Sequence, residues 1–122
     1  MEDYNKQVAQ TIKGQISKYQ LMCYAARDFT YVGSDDKLPG LNFTVSGTSV
    51  LKNRKGTIEI LLNGADLYDI TFSRKNKDDV VKNDVYAEDL NGFLDILLET
   101  EEYQKNINPN IVGVKLVEVN NG

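Results

Sequence analysis

The chain has 122 residues, 41% hydrophobic and 26% charged, which is typical of one globular domain, and no apolar run approaches the roughly 20 residues of a membrane span. It has no histidine and only one cysteine, which excludes imidazole-dependent catalysis, an intramolecular disulfide and cysteine-based zinc sites. The net charge is −4, with 3 basic and 8 acidic side chains in residues 81–122, so a basic protein surface is a better electrostatic match than nucleic acid.

Apolar residues near the N-terminus recur at steps of three or four and predict an amphipathic helix from Asp3 to about Ala26. The predicted core stripe of this helix consists of Val8, Ile12, Ile16, Tyr19, Cys23 and Ala26. Tyr4, Tyr24 and Tyr103 fall off the core stripes, and we expect them to be exposed contact residues. The polar, acidic start of the chain is unlike a secretory signal, so we expect the protein to stay in the cytoplasm.

Period-two patterns then predict a sheet. Phe29 to Val32 is rich in β-branched and aromatic residues, and Leu41, Phe43 and Val45 alternate with polar residues. Two apolar runs, 57–62 and 67–72, are joined by a turn-forming segment and predict the central hairpin. Its predicted core face consists of Ile58, Ile60, Leu62, Tyr68, Ile70 and Phe72.

A second helix is predicted from Tyr86 to about Glu101, with its apolar stripe at Leu90, Phe93, Leu94, Leu97 and Leu98. Residues 111–119 are rich in β-branched residues and predict a C-terminal edge strand. The sequence thus predicts a single α+β domain. It would have an antiparallel sheet of four to five strands, an N-terminal helix, a second helix packed on the sheet and the C-terminal edge strand.

Three carboxylates around the hairpin are the candidates for an enzyme or a metal site. Asp66 and Asp69 lie close together, and Glu59 is on the neighbouring predicted strand. A turn position for Asp66 and a half-solvated strand face for Asp69 explain these residues without any chemistry. We therefore predict no catalytic residue, no metal site and no cofactor.

Two basic segments flank the hairpin, and they carry the alternative hypothesis of nucleic-acid binding. Their cationic residues are Lys52, Arg54 and Lys55 in the first segment and Arg74, Lys75 and Lys77 in the second. If both segments lie at the same end of the sheet, they form one positive edge that could meet phosphates. Whether they converge is left open by the sequence.

The acidic side of the second predicted helix is the candidate protein-binding surface, because the C-terminal third of the chain is its acidic end and could dock on a basic protein; a plain solvated helix face is the alternative explanation. The residues assigned to this surface are Glu88, Asp95, Glu99, Glu101, Glu102 and Tyr103.

Four segments, taken in order, resemble a group of short uncharacterised proteins encoded by bacteriophages and other mobile elements. These segments are Ala25-Ala26-Arg27-Asp28-Phe29, Gly40-Leu41-Asn42-Phe43, residues 62–72 and Asp84-Val85-Tyr86-Ala87-Glu88-Asp89-Leu90. The resemblance covers roughly residues 8–100. After that point the chain departs from the pattern, because Thr100-Glu101-Glu102 replaces the usual Thr-Gly-Leu ending.

The resemblance implies a phage or mobile-element origin and a bacterial cytoplasmic location, and it brings no catalytic residues. Small acidic phage proteins of this kind often bind a host protein, including as anti-CRISPR-like inhibitors of defence systems. The leading hypothesis is therefore a non-enzymatic accessory protein that binds a host or defence-system protein. Nucleic-acid binding by the basic segments is the alternative, a carboxylate-based enzyme is the least favoured, and the oligomeric state stays open.

Overall fold

The computed structural model describes residues 2–100, and a five-stranded antiparallel sheet is their central element. The strands follow one another in the sheet in chain order, each paired with the next by a hairpin connection. The helices are α1 (Glu2–Gln15), α2 (Lys18–Cys23) and α3 (Leu90–Glu99), with a 3₁₀ turn at Ala87–Asp89 before α3. The strands are β1 (Arg27–Ser34), β2 (Lys37–Ser46), β3 (Lys55–Leu62), β4 (Tyr68–Arg74) and β5 (Val80–Val85).

This architecture confirms the predicted α+β class, with a helix before the sheet and a helix after it that packs on it. The predicted C-terminal edge strand at 111–119 lies outside the described residues.

The β3–β4 hairpin forms as its alternation predicts. Ile58 pairs with Phe72 and Ile60 with Ile70, and all four side chains are buried on one side of the sheet. The side chain of Asn63 holds the connecting turn, because its Oδ1 accepts hydrogen bonds from the backbone N–H groups of two later turn residues.

The helices cover the same side of the sheet and complete one core. Leu90, Leu94, Leu97 and Leu98 of α3 are fully buried, which confirms the leucine stripe, and Phe93 packs against it in part. Val8, Ile12 and Ile16 are buried on the N-terminal side, where α1 packs against β1 and β2. Burying a side chain of this size stabilises the fold by roughly 1.5–3 kcal/mol.

The prediction of one helix from Asp3 to Ala26 is wrong, because the helix breaks between Gln15 and Lys18. At the break, Ser17 caps α2, and its Oγ accepts a hydrogen bond from the backbone N–H of Gln20. Asn91 of α3 bridges the gap: its Oδ1 accepts from Ser17 N at 2.8 Å, and its Nδ2 donates to Gln15 O at 3.0 Å. The backbone groups released by the break are therefore satisfied by a distant side chain.

The break changes which residues of α2 face the core. Tyr19 is 73% exposed and Cys23 is also exposed, so their assignment to the core stripe is wrong. Tyr24, which was expected to be exposed, is only 1% exposed. Its hydroxyl accepts a hydrogen bond from Gln20 at 2.7 Å and lies 3.4 Å from a carboxylate oxygen of Asp95. Burial raises the pKa of Tyr24 above its ordinary value, and the nearby Asp95 adds to that rise.

The side of the sheet opposite the helices is half-buried, and we call it the open face. It consists of the alternate residues of the three central strands that point away from the core: Asn42, Thr44, Ser46, Thr57, Glu59, Leu61, Asp69, Thr71 and Ser73. Most of these side chains are polar, as expected for a sheet with one solvated side.

Candidate nucleic-acid interface

The two basic segments lie at the same end of the sheet. Strand β3 begins at Lys55 and the antiparallel β4 ends at Arg74, and Gly56 is the direct cross-strand partner of Arg74. The loop that leads into β3 and the turn that follows β4 are therefore neighbours. We call this region, with Lys52, Arg54, Lys55, Arg74, Lys75 and Lys77, the basic end.

A row of hydroxyl groups crosses the open face beside the basic end. Thr44, Thr57 and Ser73 are successive cross-strand partners on β2, β3 and β4. Arg27 of β1 pairs with Thr44 and extends the row to the first strand. Adjacent strands are about 4.8 Å apart, so this row of four residues spans roughly 14 Å.

An open depression of about 320 Å³ lies over this row. Its lining residues are Thr44, Lys55, Gly56, Thr57, Ser73, Arg74 and Lys75. The depression thus combines hydroxyl groups with residues from both basic segments. Ammonium, guanidinium and hydroxyl donors are the groups that contact phosphate oxygens in protein–nucleic acid complexes.

Arg27 is held in place at the β1 end of the row. One of its terminal nitrogens donates to Ala25 O at 2.8 Å and to Ser46 Oγ at 3.0 Å. A guanidinium group has five N–H donors, so this arrangement fixes the side chain and leaves other donors for a ligand.

Arg74 orders the turn after β4. Its terminal Nη2 donates to Asp78 O at 3.2 Å, and its guanidinium carbon lies 4.9 Å from the centre of the Phe72 ring. Its Nε is buried and has no hydrogen-bond partner among residues 2–100. Burial lowers the pKa of Arg74 below its ordinary value, whereas Asp79 and Asp78 oppose that shift. An arginine remains a cation at neutral pH, so Arg74 contributes positive charge and a fixed turn.

The loop from 47 to 54 is fastened to the helical side of the molecule. The backbone N–H and the Oγ of Ser49 donate to Glu99 Oε1 at 3.0 and 2.9 Å, and Val50 N donates to Leu98 O at 3.1 Å. Leu51 is 3% exposed and belongs to the core. Lys52 and Arg54 follow this anchored segment, and neither lines the depression.

Three of the acidic residues predicted to bind protein lie within the described structure. Glu88 and Asp95 are exposed, with Asp95 3.4 Å from the hydroxyl of Tyr24, and Glu99 is half-buried and bonded to Ser49. The other residues assigned to this surface, Glu101, Glu102 and Tyr103, lie outside the described residues.

The three carboxylates considered for an enzyme have separate structural partners. Glu59 lies 3.5 Å from the ammonium of Lys37, and Asp69 accepts hydrogen bonds from Asn63 and from the backbone of Asp84. Asp66 is exposed and has a φ of 63° in the hairpin turn, which explains its presence there. Within residues 2–100, acidic and cysteine side chains form no group of three or more that could hold a metal ion.

Sequence reasoning did not select Arg27, Thr44, Thr57 or Ser73. The sequence shows the two threonines and the serine as polar, solvent-facing positions of alternating strands, but their alignment across the sheet depends on the strand register.

No helix of the described chain is both long enough and apolar enough to cross a membrane. Comparison of the sequence with protein-family models and with curated proteins, and of the fold with solved structures, finds no match. The function of the basic end therefore rests on its own chemistry, and the likeness to mobile-element proteins stays a prediction.

Proposed function

We propose that this protein is a non-enzymatic nucleic-acid-binding domain in which Lys55, Lys75 and the neighbouring hydroxyl row hold the phosphate backbone. The observation that carries this proposal is that one depression brings together Lys55 of the first basic segment and Lys75 of the second, beside Thr57 and Ser73. The overall charge of −4 opposes long-range attraction, but a local cluster of cations acts within about one Debye length.

We favour nucleic acid over a host protein as the partner because two of the acidic residues predicted to bind protein make contacts within the fold. Glu99 anchors a loop, and the exposed Asp95 lies 3.4 Å from the hydroxyl of the buried Tyr24. The basic residues Lys55 and Lys75 are exposed. We place the protein in the cytoplasm of a bacterial host, where an exposed free thiol such as that of Cys23 stays reduced.

Fluorescence anisotropy with a labelled mixed-sequence 20-mer, single-stranded or duplex, tests this proposal at 50 mM salt. Non-specific affinities lie at roughly 1–100 µM, so the protein is titrated to about 1 mM. At this salt concentration, one phosphate contact with a slope of about 0.9 contributes roughly 15-fold in affinity, so Lys75→Glu should weaken binding at least about 15-fold.

Lys18→Glu is the matched control, because it makes the same charge change at an exposed position on α2. It should weaken binding only slightly, through the general field of the protein. Equal losses for Lys75→Glu and Lys18→Glu, or no binding by the wild-type protein, would contradict the proposed function.

A protein partner is the second candidate, and it is favoured by the exposed apolar side chains of α2. Tyr19 is 73% exposed and Met22 is 76% exposed, and both residue types are enriched at protein interfaces. The resemblance to mobile-element proteins indicates a host protein, such as a component of a defence system, as this partner.

Affinity capture from a bacterial lysate, treated with nuclease, tests the second candidate. A specific partner should be retained by the wild-type protein and by Lys75→Glu, and lost with the double substitution Tyr19→Ser and Met22→Ser. Retention that disappears after nuclease treatment would assign the captured protein to bridging nucleic acid and reject direct binding.

A further inference from the structure

We infer that the nucleic acid is held through about three of its phosphates, by Arg27, Lys55 and Lys75 beside the hydroxyl row, and that its bases are not read. This inference rests on the proposed function and adds the class of ligand and the footprint. It also separates the cations that contact the nucleic acid, Lys55 and Lys75, from Lys52 and Arg54, which do not; the sequence alone does not separate them.

The open face offers no surface on which a base can stack. Sheet-face binders of single strands place aromatic rings under the bases, and each such contact contributes roughly 1–3 kcal/mol. Among residues 2–100, the open face has no aromatic residue. Phe43, Tyr68 and Phe72 are buried on the other side, and Phe29 stacks on Phe43 at a ring distance of 5.2 Å.

The cations of the first basic segment differ in their position relative to the hydroxyl row. Lys55 pairs with Ser46, so its side chain shares the face of the hydroxyl row, and Lys75 lines the same depression. Lys52 and Arg54 belong to the loop that Glu99 fastens to α3, and neither lines the depression. A backbone lying along the hydroxyl row therefore meets Lys55 and Lys75 but passes by Lys52 and Arg54.

The far end of the open face is acidic, and this limits the footprint. Glu59 is two residues from Thr57 of the hydroxyl row along β3, which corresponds to about 7 Å, and Asp69 lies further along the neighbouring strand. Asp69 repels a phosphate backbone that runs along the strands, whereas Lys37, which lies 3.5 Å from Glu59, offsets part of the repulsion by Glu59. A backbone that crosses the strands from Arg27 to Ser73 stays beside the cations, and the roughly 14 Å row matches about four nucleotides of one duplex strand at 3.4 Å each.

The salt dependence of binding measures the number of these phosphate contacts. Three contacts predict a slope of log K against log salt of about −2.7 for duplex DNA and about −2.1 for a single strand. Between 50 and 200 mM salt, affinity should therefore fall about 40-fold for the duplex and about 20-fold for the single strand. Contact with all six cations of the basic end would instead give a duplex slope of about −5.4.

Two double variants of equal charge change distinguish the cations that contact the nucleic acid from those that do not. Lys55→Gln with Lys75→Gln should reduce the duplex slope to about −0.9, whereas Lys52→Gln with Arg54→Gln should leave it near −2.7. Each titration uses homopolymeric and mixed-sequence 20-mers, single-stranded and duplex, and circular dichroism shows that each variant is folded.

Affinities that agree within about threefold among sequences, with the slope lost only in the Lys55 and Lys75 pair, would support the inference. A preference above tenfold for one base composition, or a slope near −5 that falls in both pairs, would overturn the inference and leave nucleic-acid binding intact. Absence of binding to every probe at 50 mM salt would overturn the proposed function and the inference with it.

Discussion

Replacing Glu99 by alanine should destabilise the fold, whereas the same change at Glu88 should not. Both residues carry one negative charge next to or within α3. Glu99 is the last residue of the helix, where a negative charge is disfavoured by the helix dipole, and Glu88 precedes its first turn, where it is favoured. Helix rules alone therefore predict that Glu99→Ala stabilises the protein and that Glu88→Ala destabilises it.

The structure predicts the opposite order, because Glu99 Oε1 accepts two hydrogen bonds from Ser49 at 3.0 and 2.9 Å. Glu99 is half-buried and Ser49 is exposed, so water replaces part of what is lost, and each bond contributes roughly 0.5–1 kcal/mol. Removing the unfavourable interaction of the Glu99 charge with the helix dipole restores about 0.3 kcal/mol. The net loss of stability for Glu99→Ala is therefore about 1 kcal/mol. Glu88→Ala should cost less than about 0.5 kcal/mol.

Urea unfolding followed by circular dichroism measures both variants. With a slope of about 2 kcal/mol per molar urea, the Glu99→Ala midpoint should be about 0.5 M below the wild-type value. Nucleic-acid affinity should change only slightly in both variants at 20 °C, through the general field of the protein, because the anchored loop is not part of the proposed contact. A Glu99→Ala midpoint equal to or above that of Glu88→Ala would refute the assigned role of Glu99.

Three further predictions concern the stability of the fold. Burial raises the pKa values of Tyr24 and Tyr68, so the folded state favours their neutral forms. Their contribution to the free energy of unfolding is therefore complete below about pH 10 and is lost as pH rises through the folded-state pKa. Urea midpoints measured from pH 8 to 11 should fall less steeply for Tyr24→Phe, and an unchanged slope would contradict this. Gly92→Ala should raise the free energy of unfolding by about 0.5–1 kcal/mol, because Gly92 is exposed within α3 and an added Cβ meets nothing within 4 Å; a lower urea midpoint would contradict this. Gly40→Ala should cost at least about 3 kcal/mol or prevent folding, because its Cβ would collide with the backbone oxygen of Ile60, and a wild-type melting curve would contradict this.

The hairpin and α3 could be predicted because their information is local. Alternation places Ile58 and Ile60 on the same side of β3, and the 3.6-residue period places Leu90 and Leu94 in the core, without knowledge of any other element. The same period wrongly predicted one continuous helix at the N-terminus. The break at Ser17 is stabilised by Asn91, which is 74 residues away in the chain, so no pattern within the helix could locate it.

The candidate site was only partly predictable for the same reason. The basic segments are plain in the sequence, but their convergence depends on the pairing of Gly56 with Arg74. Arg27 was missed because its place beside Thr44 is fixed by the β1–β2 register. Glu99 resembles a solvated acid in the sequence, and its partner Ser49 is 50 residues away.

The central claim is that nucleic acid binds across the hydroxyl row at the basic end of the open face. Titration of the isotope-labelled protein with a mixed-sequence 20-mer, followed by amide NMR shifts, tests this directly and suits weak binding. The largest shifts should appear at Thr44, Lys55, Thr57, Ser73 and Lys75, with little change in α2. Shifts centred on Tyr19 and Met22, or no shifts at 50 mM salt, would contradict the claim.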